Sequence, residues 1–222
     1  MKSPIATVAV ALLPFIINGT TQAATIFTSG SEDADNTVLT AGVTMGYNIT
    51  PTTNLELTAL GFWDSDSNGL PTSFQLGLWQ TSTETLLASV TIDSTDALDT
   101  SLTVNGGQWR YETLLSPILL SSGTTYTLGF LNTIEMGPSD YLFLNQSTIT
   151  TDPAVTLSTE RFAINNGSLS FPTFPFVAPD AYPGQINAQF TLIPIPEPTS
   201  ATLAILGTLT LLNRRRKSQS AK

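Results

Sequence analysis

Alternating apolar and polar residues predict β-strands through the middle of the chain. In the stretches Leu55-Glu56-Leu57-Thr58 and Phe74-Gln75-Leu76-Gly77-Leu78, every second side chain is apolar. In an extended strand this places the apolar side chains on one face. Gly, Pro, Asn and Asp separate such segments, as is typical of turns. Residues 25–193 show no helical periodicity of apolar residues. The pattern therefore predicts a strand-rich domain over residues 25–193.

The same pattern predicts strands at residues 25–29, 43–49, 55–63, 73–80, 85–92, 108–113, 124–131, 141–145, 154–163 and 186–193. Many short strands at this spacing favour an all-β domain, folded as an antiparallel β-sandwich with Greek-key or jelly-roll-like connections. A barrel is the alternative. The pairs Leu86-Leu87 and Leu114-Leu115 interrupt the alternation, so we expect bulges or strand ends there.

Two local motifs refine the sandwich prediction. Gly123 is followed by Tyr126 at the start of a strand, which resembles a tyrosine corner, in which the hydroxyl bonds to the backbone a few residues upstream. The segments Gly61-Phe62-Trp63 and Gly77-Leu78-Trp79 resemble each other, and we expect them to pair as a hairpin.

The composition limits the kinds of metal site and catalysis that the chain could support. The 222-residue chain has no Cys and no His, which excludes disulfides, thiolate or imidazole metal sites and histidine-based catalysis. The carboxylates that a glycosidase would need are scattered, at Glu56, Glu84, Glu112, Glu135 and Glu160. No pair facing a cleft stands out, and the sequence predicts a protein that is not an enzyme.

Charge is segregated along the chain. Arg110 and Arg161 are the basic residues between positions 24 and 196, against 16 acidic residues, so the formal charge there is 2 − 16 = −14. Such a body repels phosphate backbones, which excludes nucleic acid as a partner. The other basic residues lie at the two ends.

The loop Asp64-Ser65-Asp66-Ser67-Asn68-Gly69 is the candidate metal site. Oxygen-bearing side chains at alternate positions followed by Gly match the first half of a calcium loop. The twelfth position is Gln75 instead of a bidentate Glu, so other carboxylates would have to complete the shell around Asp64, Asp66 and Asn68. A polar turn is the alternative, because the same residues favour turns on backbone grounds. Calcium is the one cofactor that the sequence suggests.

Three tryptophans, Trp63, Trp79 and Trp109, bear on a carbohydrate-binding role. Exposed, they would stack on sugar rings, and the chain would be a carbohydrate-binding module on exopolysaccharide. On alternating strands a Trp more often belongs to the core, and we expect core positions for all three.

The N-terminus has the order of a secretory signal peptide. Lys2 precedes an apolar run at residues 4–17, and small and polar residues follow up to Ala23 and Ala24. This order predicts a signal peptide over residues 1–24, with cleavage after Ala23 or Ala24. A buried strand or a membrane anchor is the alternative, although the run is short for a span.

The C-terminal segment, residues 194–222, has three parts in a fixed order. Pro196, Glu197 and Pro198 precede an uncharged apolar stretch at residues 201–212, and an Arg-rich tail follows at 214–216. The stretch is shorter than the ~20 residues of a full span, and the basic tail is expected to stay in the cytoplasm. A simple tail anchor is the alternative reading.

This order resembles the PEP-CTERM sorting signal, and the matching residues are Pro196, Glu197, Pro198, Arg214, Arg215 and Arg216. The resemblance implies export to the cell envelope, outer surface or extracellular matrix of a biofilm-forming bacterium. It also implies a membrane transpeptidase, an exosortase, that cleaves at or near the motif after transient insertion of the apolar helix. These six residues would then be recognised by the enzyme and would not be catalytic.

The central block is similar to a domain of uncharacterised function in bacterial exported proteins. The residues that carry this similarity lie between positions 57 and 129 and include Trp63, Trp79 and Trp109. The similarity implies a β-sandwich surface module and no particular activity.

Overall fold

Fifteen β-strands and no helix make up the part of the chain that the structure, a computed structural model, describes. That part comprises residues 23–31, 39–104, 106–137, 142–145, 147–164, 167–176 and 181–193. Most of the predicted signal peptide and the whole sorting segment, with Pro196–Pro198 and Arg214–Arg216, lie outside the described residues. Within those residues, no helix has the length and apolar character needed to cross a membrane.

The strands are β1 (Ala24–Thr25), β2 (Phe27–Ser29), β3 (Val43–Pro51), β4 (Leu55–Asp64), β5 (Phe74–Gln80), β6 (Thr85–Ile92), β7 (Ala97–Leu98), β8 (Gln108–Leu120), β9 (Tyr126–Asn132), β10 (Phe143–Asn145), β11 (Thr150–Thr151), β12 (Val155–Ile164), β13 (Phe174–Phe176), β14 (Ala181–Pro183) and β15 (Ile186–Leu192). Each strand predicted from the alternation overlaps a strand observed in the structure. The prediction of an all-β fold is confirmed.

Two antiparallel sheets form the body. The five-stranded sheet has the order β1-β15-β4-β8-β7, and the six-stranded sheet has the order β13-β12-β3-β9-β5-β6. Two short pairs, β2 with β11 and β10 with β14, lie beside them. Consecutive long strands often change sheet, as β3, β4 and β5 do, so most strands have neighbours that are distant in sequence.

Aromatic contacts join the two sheets in a sandwich-like core. Phe62 of the five-stranded sheet stacks on Phe74 of the six-stranded sheet, with ring centroids 4.1 Å apart, and meets the edge of Phe130 at 5.2 Å. The Tyr47 hydroxyl, fully buried, donates a hydrogen bond of 2.8 Å to the carbonyl oxygen of Ile186 across the core. The inner faces of both sheets therefore share one apolar layer.

The hairpin predicted between the two Trp-containing segments is wrong. β4 pairs with β15 and β8, whereas β5 pairs with β6 and β9. The chain crosses from one sheet to the other between Asp64 and Phe74. Alternation determines which side chains share a face, and it does not determine which strand lies beside which.

Both predicted irregularities occur in strands. Between the pairs Leu78–Ala88 and Trp79–Leu86, one additional residue of β6, Leu87, has no partner on β5. In β8, residues 114–117 fall between the pairs Ala59–Thr113 and Leu57–Ile118. The apolar pairs thus mark bulges, and β8 continues beyond its predicted end to Leu120.

The tyrosine corner is confirmed. Between β8 of one sheet and β9 of the other, the Ser121 backbone N–H donates a hydrogen bond of 3.0 Å to the Tyr126 hydroxyl oxygen. Gly123 in the same turn has φ of 75°, a conformation that glycine adopts without a steric penalty. The motif therefore anchors a crossover between the sheets.

The first and last strands of the body lie side by side. Ala24 of β1 pairs with Phe190 of β15, and Leu192 of β15 pairs with Leu55 at the start of β4. The described chain thus starts and finishes at one end of the five-stranded sheet. Asp64, at the other end of β4, lies at the opposite end of that sheet.

Candidate functional site

Two acidic loops meet at the end of the sandwich that lies opposite the chain termini of the body. One loop follows β4 and carries Asp66, and the other follows β6 and carries Asp93 and Asp96. They are in contact, since a Cβ added to Gly69 would lie 3.2 Å from the Ser94 Cβ. No feature of the sequence predicts the contact between these two loops. We call this region, with Asp64, Asp66, Asp93, Asp96 and Glu112, the acidic end.

Asp64 is an internal anchor of the acidic end. Its side chain is 1% exposed and lies 2.7 Å from Nε of Arg110, itself largely buried. The same carboxylate oxygen accepts a hydrogen bond of 3.0 Å from the Gly69 backbone N–H. Nη1 of Arg110 donates to the carbonyl oxygen of Asp96 at 2.9 Å. Arg110 therefore ties both loops together.

The other two predicted calcium ligands are exposed and bond to each other. The Asn68 backbone N–H donates to an Asp66 carboxylate oxygen at 3.2 Å, and the Asn68 side-chain amide donates to the other oxygen. This arrangement is typical of a side-chain-stabilised turn. Asp64, in contrast, is buried and holds Arg110 and the Gly69 N–H through one carboxylate oxygen. In the described ranges, no group of three or more His, Cys, Asp or Glu side chains is arranged to hold a metal ion.

Calcium binding by Asp64, Asp66 and Asn68 stays a prediction. A specific site raises the melting temperature in millimolar calcium chloride beyond the rise in sodium chloride of equal ionic strength, because binding favours the folded state. The test variant is Asp66→Ala with Asn68→Ala, which removes two of the three predicted ligands and leaves the pair of Asp64 with Arg110 intact. Equal shifts in the two salts, or an unchanged calcium effect in this variant, would identify the loop as an ordinary turn.

Glu112, one of the glutamates that are scattered along the sequence, forms a carboxyl pair with Asp96 at the acidic end. A side-chain hydrogen bond with Asp96 is the main cause that raises the pKa of Glu112, followed by partial desolvation and by repulsion from Asp96 and Asp93. The pKa of Asp93 is lowered, chiefly because the Thr95 hydroxyl donates to its carboxylate at 2.6 Å. Arg110 is the sequence feature that could have predicted this cluster of carboxylates, because a cation in so acidic a body is expected to attract them.

Glu112→Gln tests this pair through pH. Because the folded-state pKa of Glu112 is raised, its ionisation opposes folding, and that cost is absent below the pKa of the unfolded chain. We expect Glu112→Gln to stabilise the fold at pH 7 by up to about 0.5 kcal/mol, the scale of exposed charge pairs. The advantage should disappear at a pH where glutamate is protonated.

Urea unfolding at pH 7 and at low pH would measure this difference. Glu56→Gln, on the neighbouring strand β4, is the control and should change stability less at either pH. An equal gain for the two variants would mean that lost net charge, not the contact with Asp96, is responsible.

The carboxyl pair at the acidic end does not have the spacing of a glycosidase. Asp96 and Glu112 are in direct contact, whereas glycosidase carboxylates lie about 5–10 Å apart across a cleft. Asp99 and Asp152 line a groove of about 440 Å³ near Ala24, but each holds a turn. Asp99 accepts from the Ser101 N–H and Asp152 from the Ala154 N–H, both at 2.8 Å.

All three tryptophans are buried: Trp63 and Trp109 lie in the core between the sheets, as expected, whereas Trp79 lies on the outer face of the six-stranded sheet, over Gly77. Trp63 and Trp79 are each 3% exposed and Trp109 is 1% exposed. The Trp109 indole N–H donates to the carbonyl oxygen of Gly184 at 2.9 Å. None of the three presents a ring face to solvent for stacking on a sugar.

The sequence profile of a family described as "Domain of unknown function (DUF4082)" matches residues 29–178. The chain belongs to the DUF4082 family. The match covers the acidic end and the whole six-stranded sheet, but it leaves out β1 and β15 of the five-stranded sheet. The five-stranded sheet of this chain therefore includes strands that lie outside the matched residues. No curated protein matches the chain.

Proposed function

We propose that the protein is an exported, non-enzymatic component of the cell surface or extracellular matrix, sorted through its C-terminal segment. The observation that carries this proposal is the order of that segment. Pro196-Glu197-Pro198, an apolar stretch and Arg214–Arg216 follow one another on a chain that begins with a signal-peptide pattern. The apolar stretch and the basic tail have physical roles in insertion and orientation at a membrane.

The layout of the body supports the same proposal. The predicted signal peptide, residues 1–24, and the sorting segment, residues 194–222, both adjoin the body at one end of the five-stranded sheet. The acidic end lies at the opposite end of that sheet. A body attached in this way would direct its acidic loops away from a membrane during sorting. The formal charge of −14 between residues 24 and 196, from 2 basic and 16 acidic residues, favours solubility outside the cell.

An exosortase is the proposed partner, acting on the chain as its substrate. A Pro-rich segment lacks backbone N–H groups at Pro196 and Pro198 and resists helix formation. It would therefore remain extended beside the apolar stretch and accessible to a membrane protease. In this proposal Arg214, Arg215 and Arg216 fix the orientation of the stretch.

Replacing Pro196, Glu197 and Pro198 together by Ala tests the sorting proposal in the native host. We expect the variant to accumulate as an unprocessed, membrane-associated precursor and the surface-located protein to fall at least tenfold. The matched control replaces Thr199, Ser200 and Thr202 by Ala and should be sorted normally. Normal processing of the motif variant would contradict the proposal.

The alternative function, a carbohydrate-binding module on exopolysaccharide, loses its aromatic platform because Trp63, Trp79 and Trp109 are buried. A carbohydrate site on this body would have to use other side chains.

A further inference from the structure

A row of glycines crosses the outer face of the six-stranded sheet. Gly46 of β3, Gly129 of β9 and Gly77 of β5 are direct partners on neighbouring strands, and Ser89 of β6 continues the row to the sheet edge. Because glycine has no side chain, the row forms a shallow trough. The Trp79 ring fills its middle and lies directly over Gly77.

A described segment caps the filled part of the trough. Phe171 packs edge-on against Trp79, with ring centroids 6.3 Å apart. The Arg161 guanidinium lies 5.0 Å from the Phe171 ring centre and donates to the carbonyl oxygens of Pro172 and Thr173, at 2.8 and 3.2 Å. The trough is therefore closed in the middle and open toward β6.

At the open end lies a groove of about 500 Å³. Its floor is formed by outward-facing residues of β5 and β6, including Gln75, Ser89 and Thr91, and its wall by the segment from Gly167 to Leu169. The volume is within the range of about 300–1,000 Å³ that is typical of small-ligand sites. The groove has the size of a binding site.

The polar groups in the groove are available to a ligand. Within the described part of the chain, the side chains of Gln75, Ser89, Thr91 and Ser168 have no hydrogen-bond partner. Elsewhere on the same face the polar side chains satisfy one another, since the Thr127 hydroxyl bonds with Asn48 and with Thr81, both at 2.8 Å. The groove thus concentrates one amide and three hydroxyls with unused donors and acceptors.

We propose that this groove binds a neutral oligosaccharide. No charged side chain lines it, and the surrounding body is too acidic to favour anionic glycans. Amide and hydroxyl groups match the hydroxyls of a sugar, and Leu86, 47% exposed, offers an apolar contact to its C–H face. Such a site would operate whether or not the C-terminal segment is processed.

Titration of the purified full-length chain with cellohexaose, maltohexaose and N-acetylchitohexaose tests the proposal by calorimetry. We expect at least one of these to bind with a Kd below about 1 mM, and hexagalacturonate to bind at least tenfold more weakly. Gln75→Ala with Ser89→Ala should weaken binding by about tenfold or more, because two hydrogen bonds are lost.

The matched control makes the same two changes, Gln189→Ala with Ser101→Ala, in the groove on the other sheet and should bind as the parent does. Unchanged melting temperatures would show that both variants fold. The proposal is overturned by no binding to any of the three neutral sugars, by equal binding of hexagalacturonate, or by equal loss in the two double variants. Binding of an extended peptide with the sequence of residues 85–92, without sugar binding, would instead identify a strand-pairing edge.

Discussion

Asp64→Ala is expected to lower the free energy of unfolding by about 3–5 kcal/mol, the range for removing one member of a buried ion pair. The Arg110 guanidinium would lose its 2.7 Å partner while remaining buried. The Gly69 N–H would lose its acceptor as well. Gly69 has φ of 134°, which glycine adopts without a steric penalty, and the hydrogen bond to Asp64 helps to fix this turn. Urea unfolding at neutral pH measures the loss.

Asp66→Ala is the matched control, because Asp66 belongs to the same loop but is exposed. It should change stability by no more than about 0.5 kcal/mol. Asp64→Leu combined with Arg110→Met should recover a large part of the loss, since a buried pair is often replaceable by apolar side chains. A loss below about 1 kcal/mol for Asp64→Ala would contradict the role of Asp64 as an anchor.

Alanine substitutions along the glycine row should form a graded series. At Gly46 an added Cβ would overlap the backbone carbonyl oxygen of Leu128, which no rotamer change relieves. At Gly77 it would overlap the Trp79 ring, which has some freedom to move, and at Gly129 its nearest neighbour is the Met45 carbonyl oxygen at 3.1 Å. We expect the free energy of unfolding to fall by about 3 kcal/mol or more for Gly46→Ala, by about 1–3 kcal/mol for Gly77→Ala and by about 1 kcal/mol or less for Gly129→Ala.

Differential scanning calorimetry and urea unfolding would establish the order of the three variants. Ser89→Ala is the control, since it lies in the same row at the exposed edge and should be close to neutral. Equal losses at all three glycines would contradict this order, because the added Cβ meets a different neighbour at each position.

Strand positions were predictable because the alternation of apolar and polar residues within a strand shows which of its side chains are buried. In β5, Phe74, Leu76 and Leu78 face the core, and their alternation is visible in the sequence. Even the bulges left a local signal in the leucine pairs. No local pattern indicates which strands are neighbours. The pairing of β4 with β15, about 130 residues away, therefore could not be predicted.

The candidate site was only partly predictable for the same reason. The sequence identified the loop with Asp64 by its spacing, but the partner that determines its role, Arg110, lies 46 residues further along the chain. Likewise, the contact of Asp96 with Glu112 arises because β7 pairs with β8. The groove beside Gln75 depends on a segment from the other end of the domain, at Gly167–Leu169. Sites built by long-range packing need the structure.

Mass spectrometry of the two termini of surface-located protein from the native host is the most direct test of the proposed export and sorting. We expect an N-terminus at Ala24 or Thr25 and a C-terminus at or near Pro198, with no peptide from residues 214–222. Recovery of an intact tail from Arg214 to Lys222 on the surface-located protein would contradict it.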